Sequence, residues 1–166
     1  MNEHTLADGV EPEGASLLGV QSGQDNWLVD LAEAGEVLPP PAIAPVPLTE
    51  PWFLGLTCIR GILYGVADFS LFCGGLATPP GGESRLLLIG ERFAAQSAIL
   101  VNRTLGLVPA ASLVPDAPGQ PGPDWEGPTY HDAGGRRWRK LRVRQLLACP
   151  AFLDVAYREP GAPLPG

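Results

Sequence analysis

Apolar positions along this chain come in short runs, mostly at a spacing of two, broken by Gly, Pro and polar turn residues. SLLGV begins such a run at Ser16, and QSGQDN behind it supplies a turn. WLVDLAEAGEVL (27–38) alternates Trp27, Val29 and Leu31 against Leu28, Asp30 and Ala32, which predicts a strand. Its Ala and Glu content favours a helix, but Gly35 and the prolines behind it shorten any helix there. PPPAIAPVPLTEPW (39–52) holds six prolines and predicts an extended surface loop. FLGLTCI leads to CIRGILYGVADF, where residues 62–68 form a strand apolar on both faces, hence covered on both sides. RLLLIGE (85–91) and SAILVNRTLGLV (97–108) are two further apolar runs. VPDAPGQPGPDWEGP (114–128) is a loop, and RRWRKLRVRQLLACPAFLDV (136–155) starts strand-like and ends helix-like. Short strands separated by Gly/Pro turns define a mainly all-β class, barrel or sandwich, with a short terminal helix.

Composition sharpens this picture. The 166 residues, 45% hydrophobic, suffice for one domain or for two small lobes sharing a core. Gly 21 and Pro 19 favour turns over long helices. Residues 1–14 carry Glu3, Asp8, Glu11 and Glu13 without Lys or Arg and read as a disordered acidic tail. The domain then spans 15–157, followed by a flexible Pro/Gly tail at 158–166. The start lacks the basic-then-apolar order of a secretory signal, and no long uninterrupted apolar stretch occurs, so a cytoplasmic protein without membrane insertion is expected.

Charge and chemistry mostly exclude. A net charge of -7 repels phosphate backbones and argues against nucleic acid as a partner. Cys58, Cys73 and Cys149 form no close pair and lie near neither His4 nor His131, so neither a metal site nor a disulfide framework is expected. They read as small hydrophobes in a reducing compartment. Ser70, Ser84, Ser97 and Ser112 sit in no nucleophile elbow, and Gly74-Gly75 and Gly81-Gly82 lack the context of a phosphate loop. No enzyme activity, cofactor or small-molecule substrate is expected. Arg136, Arg137, Arg139, Lys140, Arg142 and Arg144 concentrate six of the eleven basic residues around Trp138. Such a strand could stack on RNA, but a solvated face or a dock for an acidic partner suits the overall charge better.

Two charges in the apolar run 58–69 need explaining. In a continuous strand Arg60 and Asp68 stand about 26 Å apart, so they do not pair with each other. Gly61 could be a bulge that re-aims Arg60. Arg60 is therefore either solvated or paired with a carboxylate from elsewhere in the chain.

The wording of several segments resembles the CheW-like family of bacterial chemosensory adaptors. Cys58-Ile59-Arg60-Gly61 followed by Val66-Ala67-Asp68-Phe69 is similar to that family's Arg-Gly turn leading into a hydrophobic strand. WLVDLAEAGEVL, FLGLTCIRG, SAILVNRTLGLV and WRKLRVRQLLACPAFLDV resemble further family segments in the expected order, over about residues 16–156. Within the family, RG-x-LYGVADF, PWFLG and CPAFLDV look most like the PilI type, the adaptor of type IV pilus twitching motility. The chain departs from the pattern at Cys58 (usually Asn), at Asn102 (usually Asp) and at 141–144, where an Asp before the last helix is missing.

The resemblance implies two small SH3-like five-stranded β-barrels sharing a hydrophobic core. It implies a non-catalytic adaptor that couples the cytoplasmic tip of a methyl-accepting chemoreceptor to the regulatory domain of a CheA-type histidine kinase. It further implies that Glu36 pairs with Arg60 as a half-buried ion pair, leaving Asp68 to a turn or cap role. Ala34, Glu36, Val37, Arg60 and Gly61 are then the expected protein-binding positions. The alternative is a small β-barrel that binds a ligand or catalyses a reaction outside chemotaxis.

Overall fold

The computed structural model describes residues 16–93 and 95–157. The stretches expected as tails, 1–14 and 158–166, lie outside the described residues. The elements in chain order are β1 (Ser16–Ser22), β2 (Asp25–Asp30), β3 (Ala34–Leu38), β4 (Phe53–Ile59), β5 (Ile62–Asp68) and α1 (Phe69–Phe72). They continue with β6 (Arg85–Ile89), β7 (Ser97–Val101), β8 (Arg103–Pro109), β9 (Val114–Pro115), β10 (Glu126–His131), β11 (Arg137–Leu141), α2 (Val143–Leu147) and α3 (Pro150–Leu153).

The strands form two sheets. One has six strands in the order β8-β1-β2-β11-β10-β9, the other five in the order β3-β6-β7-β5-β4. The outer strands of the first, β8 and β9, are consecutive in the chain, and the 3₁₀ turn Ala110–Ser112 between them closes that sheet into a barrel. In the second, the proline-rich chain leaving β3 runs back along β4. Ala44 exchanges both backbone hydrogen bonds with Leu56 (2.8 and 2.9 Å), and the Thr57 hydroxyl donates to the Ala42 carbonyl at 2.8 Å. Gly55 permits this approach. Its φ is 132°, and a Cβ there would stand 2.1 Å from the Ala44 carbonyl oxygen.

The expected two-barrel plan holds, with one barrel of six strands because the two-residue β9 joins it. The run 27–38 is not one strand. It breaks at 31–33, where the Ala32 N–H donates to the Asp30 carboxylate (2.8 Å) and the Glu33 N–H to the Asp30 carbonyl (2.9 Å), and its halves enter different sheets. Residues 97–108 likewise split at Asn102, whose side chain accepts from the Gly23 N–H at 2.7 Å while its own N–H donates to the Gln21 carbonyl at 2.8 Å. One apolar run feeds two barrels because a single polar residue at the crossing is held by the neighbouring turn.

The period of two explains the shared core. Leu86 and Leu88 of β6 and Ala98 and Leu100 of β7 fill the interior of the five-stranded barrel with Tyr64 and Val66. Their alternates Leu87, Ile89, Ile99 and Val101 face the other way, onto Leu18, Val20, Trp27 and Val29 of the six-stranded barrel. Leu17, Leu28, Val108 and Trp138 fill that second interior. Between the barrels lies a chain of rings: Trp27 meets Phe69 edge-on at 5.1 Å, Phe69 meets Trp125 at 5.8 Å, and Trp52 stacks on Phe152 at 5.8 Å. Each such pair adds about 0.5–1.5 kcal/mol beyond area burial. The helical end of the chain resolves into two short helices, of which α3 docks on the ring cluster through Phe152.

Candidate functional site

β4 and β5 form a two-residue hairpin: Ile59 pairs with Ile62, and Arg60 and Gly61 are the turn. Both have positive φ, 50° and 81°, the backbone of a type I′ turn. Gly61 is thus the second turn residue and not a bulge, and it is the residue this turn calls for. Arg60 is held left-handed at the hairpin tip, which projects its side chain outward. Gly61→Val should cost about 1–2 kcal/mol, read from denaturant midpoints. A change below a few tenths would show that the turn tolerates another backbone.

β7 pairs with β5 only over Gly65–Asp68, so Ile62–Tyr64 extend past it with β4 as their one ladder partner. This corrects the expectation that residues 62–68 are covered on both faces: Ile62 is 44% and Leu63 55% exposed. Cys58, opposite Leu63, and Leu56, opposite Gly65, are exposed as well. Tyr64 points inward, and its hydroxyl donates to Glu91 at 3.2 Å.

The structure brings Glu36 and Arg60 together as the resemblance implies. Arg60 Nη1 donates to Glu36 Oε1 at 3.2 Å and Nη2 donates to Oε2, a two-point contact of guanidinium and carboxylate. These residues do not come from neighbouring strands. β3 and β4 are opposite edges of the five-stranded sheet, and the contact spans the seam where that sheet closes. A ladder irregularity between Ala34 and Val37 turns Glu36 toward the seam. The pair is not half-buried: the Arg60 side chain is 64% exposed and that of Glu36 43%. Hydrogen bonding to Arg60, together with its charge, holds the Glu36 carboxyl below the ordinary glutamate range, and the same contact raises the Arg60 guanidinium. In water such a pair adds little stability. What it does is fix the direction of a long, otherwise mobile side chain.

The other expected positions fall around it. Val37 is exposed beside Glu36. Ala34 is partly buried, pairs with Ile89 and packs on the shared core, so it supports β3 from beneath. The apolar residues Leu56, Cys58, Ile62 and Leu63 were missed in the sequence reading. The signal was there in the hairpin: with Arg-Gly as a two-residue turn, strand parity sends Cys58 and Leu63 to the same outer face.

Asp68 is a cap, as expected. It is buried at the start of α1, where its carboxylate accepts from the Ser70 N–H (3.1 Å), the Thr78 N–H (2.8 Å) and the Thr78 hydroxyl (2.7 Å). One acid therefore starts a helix and pins the loop before β6.

The basic segment is strand only as far as Leu141 and then turns into helix. Arg137 and Arg139 lie on β11, Arg142 stands at the N-cap position of α2 without a side-chain capping bond and Arg144 is within the helix, while Leu141 and Val143 are both buried. Trp138 sits inside the six-stranded barrel and cannot serve as a platform for bases. Its Nε1–H donates to Asp132 at 3.1 Å, and the N–H groups of Gly134 and Arg136 donate to the same carboxylate, each at 3.0 Å. These bonds, that from Trp138 foremost, hold the Asp132 carboxyl below its ordinary range. A carboxyl lowered in the folded state stabilises above its unfolded pKa, and that contribution disappears as pH falls through the folded value. Asp132→Asn should therefore show a smaller drop in denaturation midpoint between about pH 6 and about pH 2.5 than the parent. Parallel curves would remove Asp132 from the acid response.

The cysteines are free, as expected of small side chains outside any disulfide framework; Cys58 and Cys73 are exposed, and Cys149 packs on the shared core. Among the described residues no helix is long and apolar enough to cross a membrane.

The chain thus folds as two small barrels around a shared core, with an arginine displayed at a hairpin tip. The family profile described as "CheW-like domain" matches residues 16–148, and the chain belongs to that family of signalling scaffolds. Among solved structures it is similar to the scaffolding protein TtCheW from Thermoanaerobacter tengcongensis, with a TM-score of 0.65 and 15% identity over 77% of this chain and 88% of that one. No curated relative matches at a significant level.

Proposed function

We propose that the protein is a non-catalytic cytoplasmic adaptor that couples a methyl-accepting receptor to a CheA-type histidine kinase, in the pathway controlling type IV pili. The observation that carries this reading is the exposed Glu36–Arg60 contact at the barrel seam, flanked by exposed Val37, Ile62 and Leu63. Arginine beside apolar surface is the composition of the energetic centre of a protein interface. A guanidinium already oriented by its own carboxylate loses less rotamer freedom on docking than a free one. Ala34 and Gly61 act beneath this surface, one by packing β3 and the other by shaping the turn.

Binding to the purified regulatory domain of the cognate kinase, and to a soluble receptor tip, tests the coupling. Absence of both interactions removes it. The pilus assignment rests on the PilI-type wording of 51–55, 60–69 and 149–155 and is tested separately. Deleting the gene should abolish twitching and leave swimming intact, and the reverse phenotype moves the protein to a flagellar pathway.

A further inference from the structure

A second oriented charge stands near Arg60. Glu91 follows β6 in the 3₁₀ turn Glu91–Phe93 and is exposed. Gly90 places its backbone: φ there is 80°, and the Gly90 carbonyl accepts from the Phe93 N–H (2.8 Å) and the Ala95 N–H (2.9 Å). A Cβ at Gly90 would stand 2.4 Å from Leu147 Cδ1, so this turn is seated tightly on α2. The Glu91 side chain is placed from within the barrel. The Tyr64 ring packs in the interior of the five-stranded barrel, and its hydroxyl donates to Glu91 Oε1 at 3.2 Å. A close-packed ring keeps one orientation, so the phenol is a fixed donor. Burial, and then the bond to Glu91, push the Tyr64 hydroxyl up, which keeps it protonated.

β3 leaves room for this acid. A Cβ on Gly35 would lie 3.1 Å from the Leu88 carbonyl oxygen and 3.4 Å from the Glu91 carboxyl carbon. The bare backbone of Gly35 therefore lets the Glu91 carboxylate lie against β3, one residue from Glu36. The two acids are engaged differently. Glu36 gives both oxygens to Arg60. Glu91 accepts from a neutral phenol, and among the described residues no basic side chain forms an ion pair with it. Its charge still reaches the hairpin tip: the bond and charge of Glu36 raise the Arg60 guanidinium most, and the charge of Glu91 adds to this. One end of the barrel thus presents a cation aimed by Glu36 and an anion aimed by Tyr64. Charges held in this way lose little freedom when a partner meets them.

We propose that Glu91 is a second docking residue of the Arg60 surface, positioned by Tyr64, and that it receives a Lys or Arg side chain of the partner. This rests on the reading of that surface as the one that binds the kinase. The partner face that fits carries both signs, an acid for Arg60 and a base for Glu91, and a purely acidic face is repelled. The test measures binding of the wild type, R60E, E91Q, Y64F and Y64F/E91Q to the purified regulatory domain of the cognate kinase by calorimetry over a range of salt concentrations. E91Q should weaken binding about fivefold and flatten its salt dependence, because one ion pair across the interface is gone. Y64F should weaken it about twofold to threefold, and should add nothing in the E91Q background, since Tyr64 acts through Glu91. Melting curves verify that each variant is folded. Unchanged or tighter binding by E91Q beside a weakened R60E overturns the proposal and leaves the kinase reading standing, as does an unchanged salt dependence. An equal loss from Y64F with and without Glu91 overturns the positioning role. No binding by the wild type, or binding that neither R60E nor E91Q alters, overturns the reading of the surface and the proposal together.

Discussion

Arg60→Glu should weaken binding to the kinase regulatory domain at least tenfold, about 1.4 kcal/mol, while leaving the melting temperature nearly unchanged. The fold should hold because the contact with Glu36 is exposed and adds little stability. Binding should fail because two carboxylates then face each other at the seam and the displayed cation is gone. The double variant E36R/R60E separates orientation from display. It restores an internal pair with the charges exchanged, so a purely structural role predicts rescue, whereas display of the positive charge at the hairpin tip predicts none. Wild-type affinity of R60E by calorimetry would remove Arg60 from the interface.

Asp68→Ala should destabilise the protein by about 3 kcal/mol, since it strands the N–H groups of Ser70 and Thr78 and the Thr78 hydroxyl in a buried place. For a chain of this size that is a fall in melting temperature of about 6–12 °C. Asp68→Asn keeps one acceptor oxygen and should lose less. A loss below about 1 kcal/mol for the alanine variant would mean that water replaces the carboxylate and that the site is not closed.

How much of this was legible in the chain depends on the range of the interaction. The strand at 62–68 and the loop at 39–52 are local, set by period and turn chemistry within a few residues, whereas the turn or cap role of Asp68 came from the resemblance and its hold on Thr78 is ten residues away. The Glu36–Arg60 contact spans 24 positions and crosses a seam rather than a ladder, so only family resemblance pointed to it. The breaks at 31–33 and at Asn102 escaped because strand-like apolar positions resume on the far side of each, and nothing local says that one half of a run belongs to a different barrel. The exposure of Ile62 and Leu63 escaped for a similar reason: it follows from β7 beginning opposite Gly65. The ring cluster draws on Trp27, Trp52, Phe69, Trp125 and Phe152, far apart in the chain, and no window of sequence contains it.

The five-stranded barrel, residues 34–101, is spliced between β2 and β8 of its neighbour. As the polypeptide leaves the ribosome, that inner unit has all its strands before β8 exists, whereas its neighbour waits for β11. Until then Phe69, Leu87, Ile89 and Ile99 lack the cover later given by Trp125, Leu141, Leu146 and Phe152. Translation order thus imposes an interval in which a nascent half-molecule carries a sticky flank, the state that chaperones shield and that a premature stop codon would make permanent.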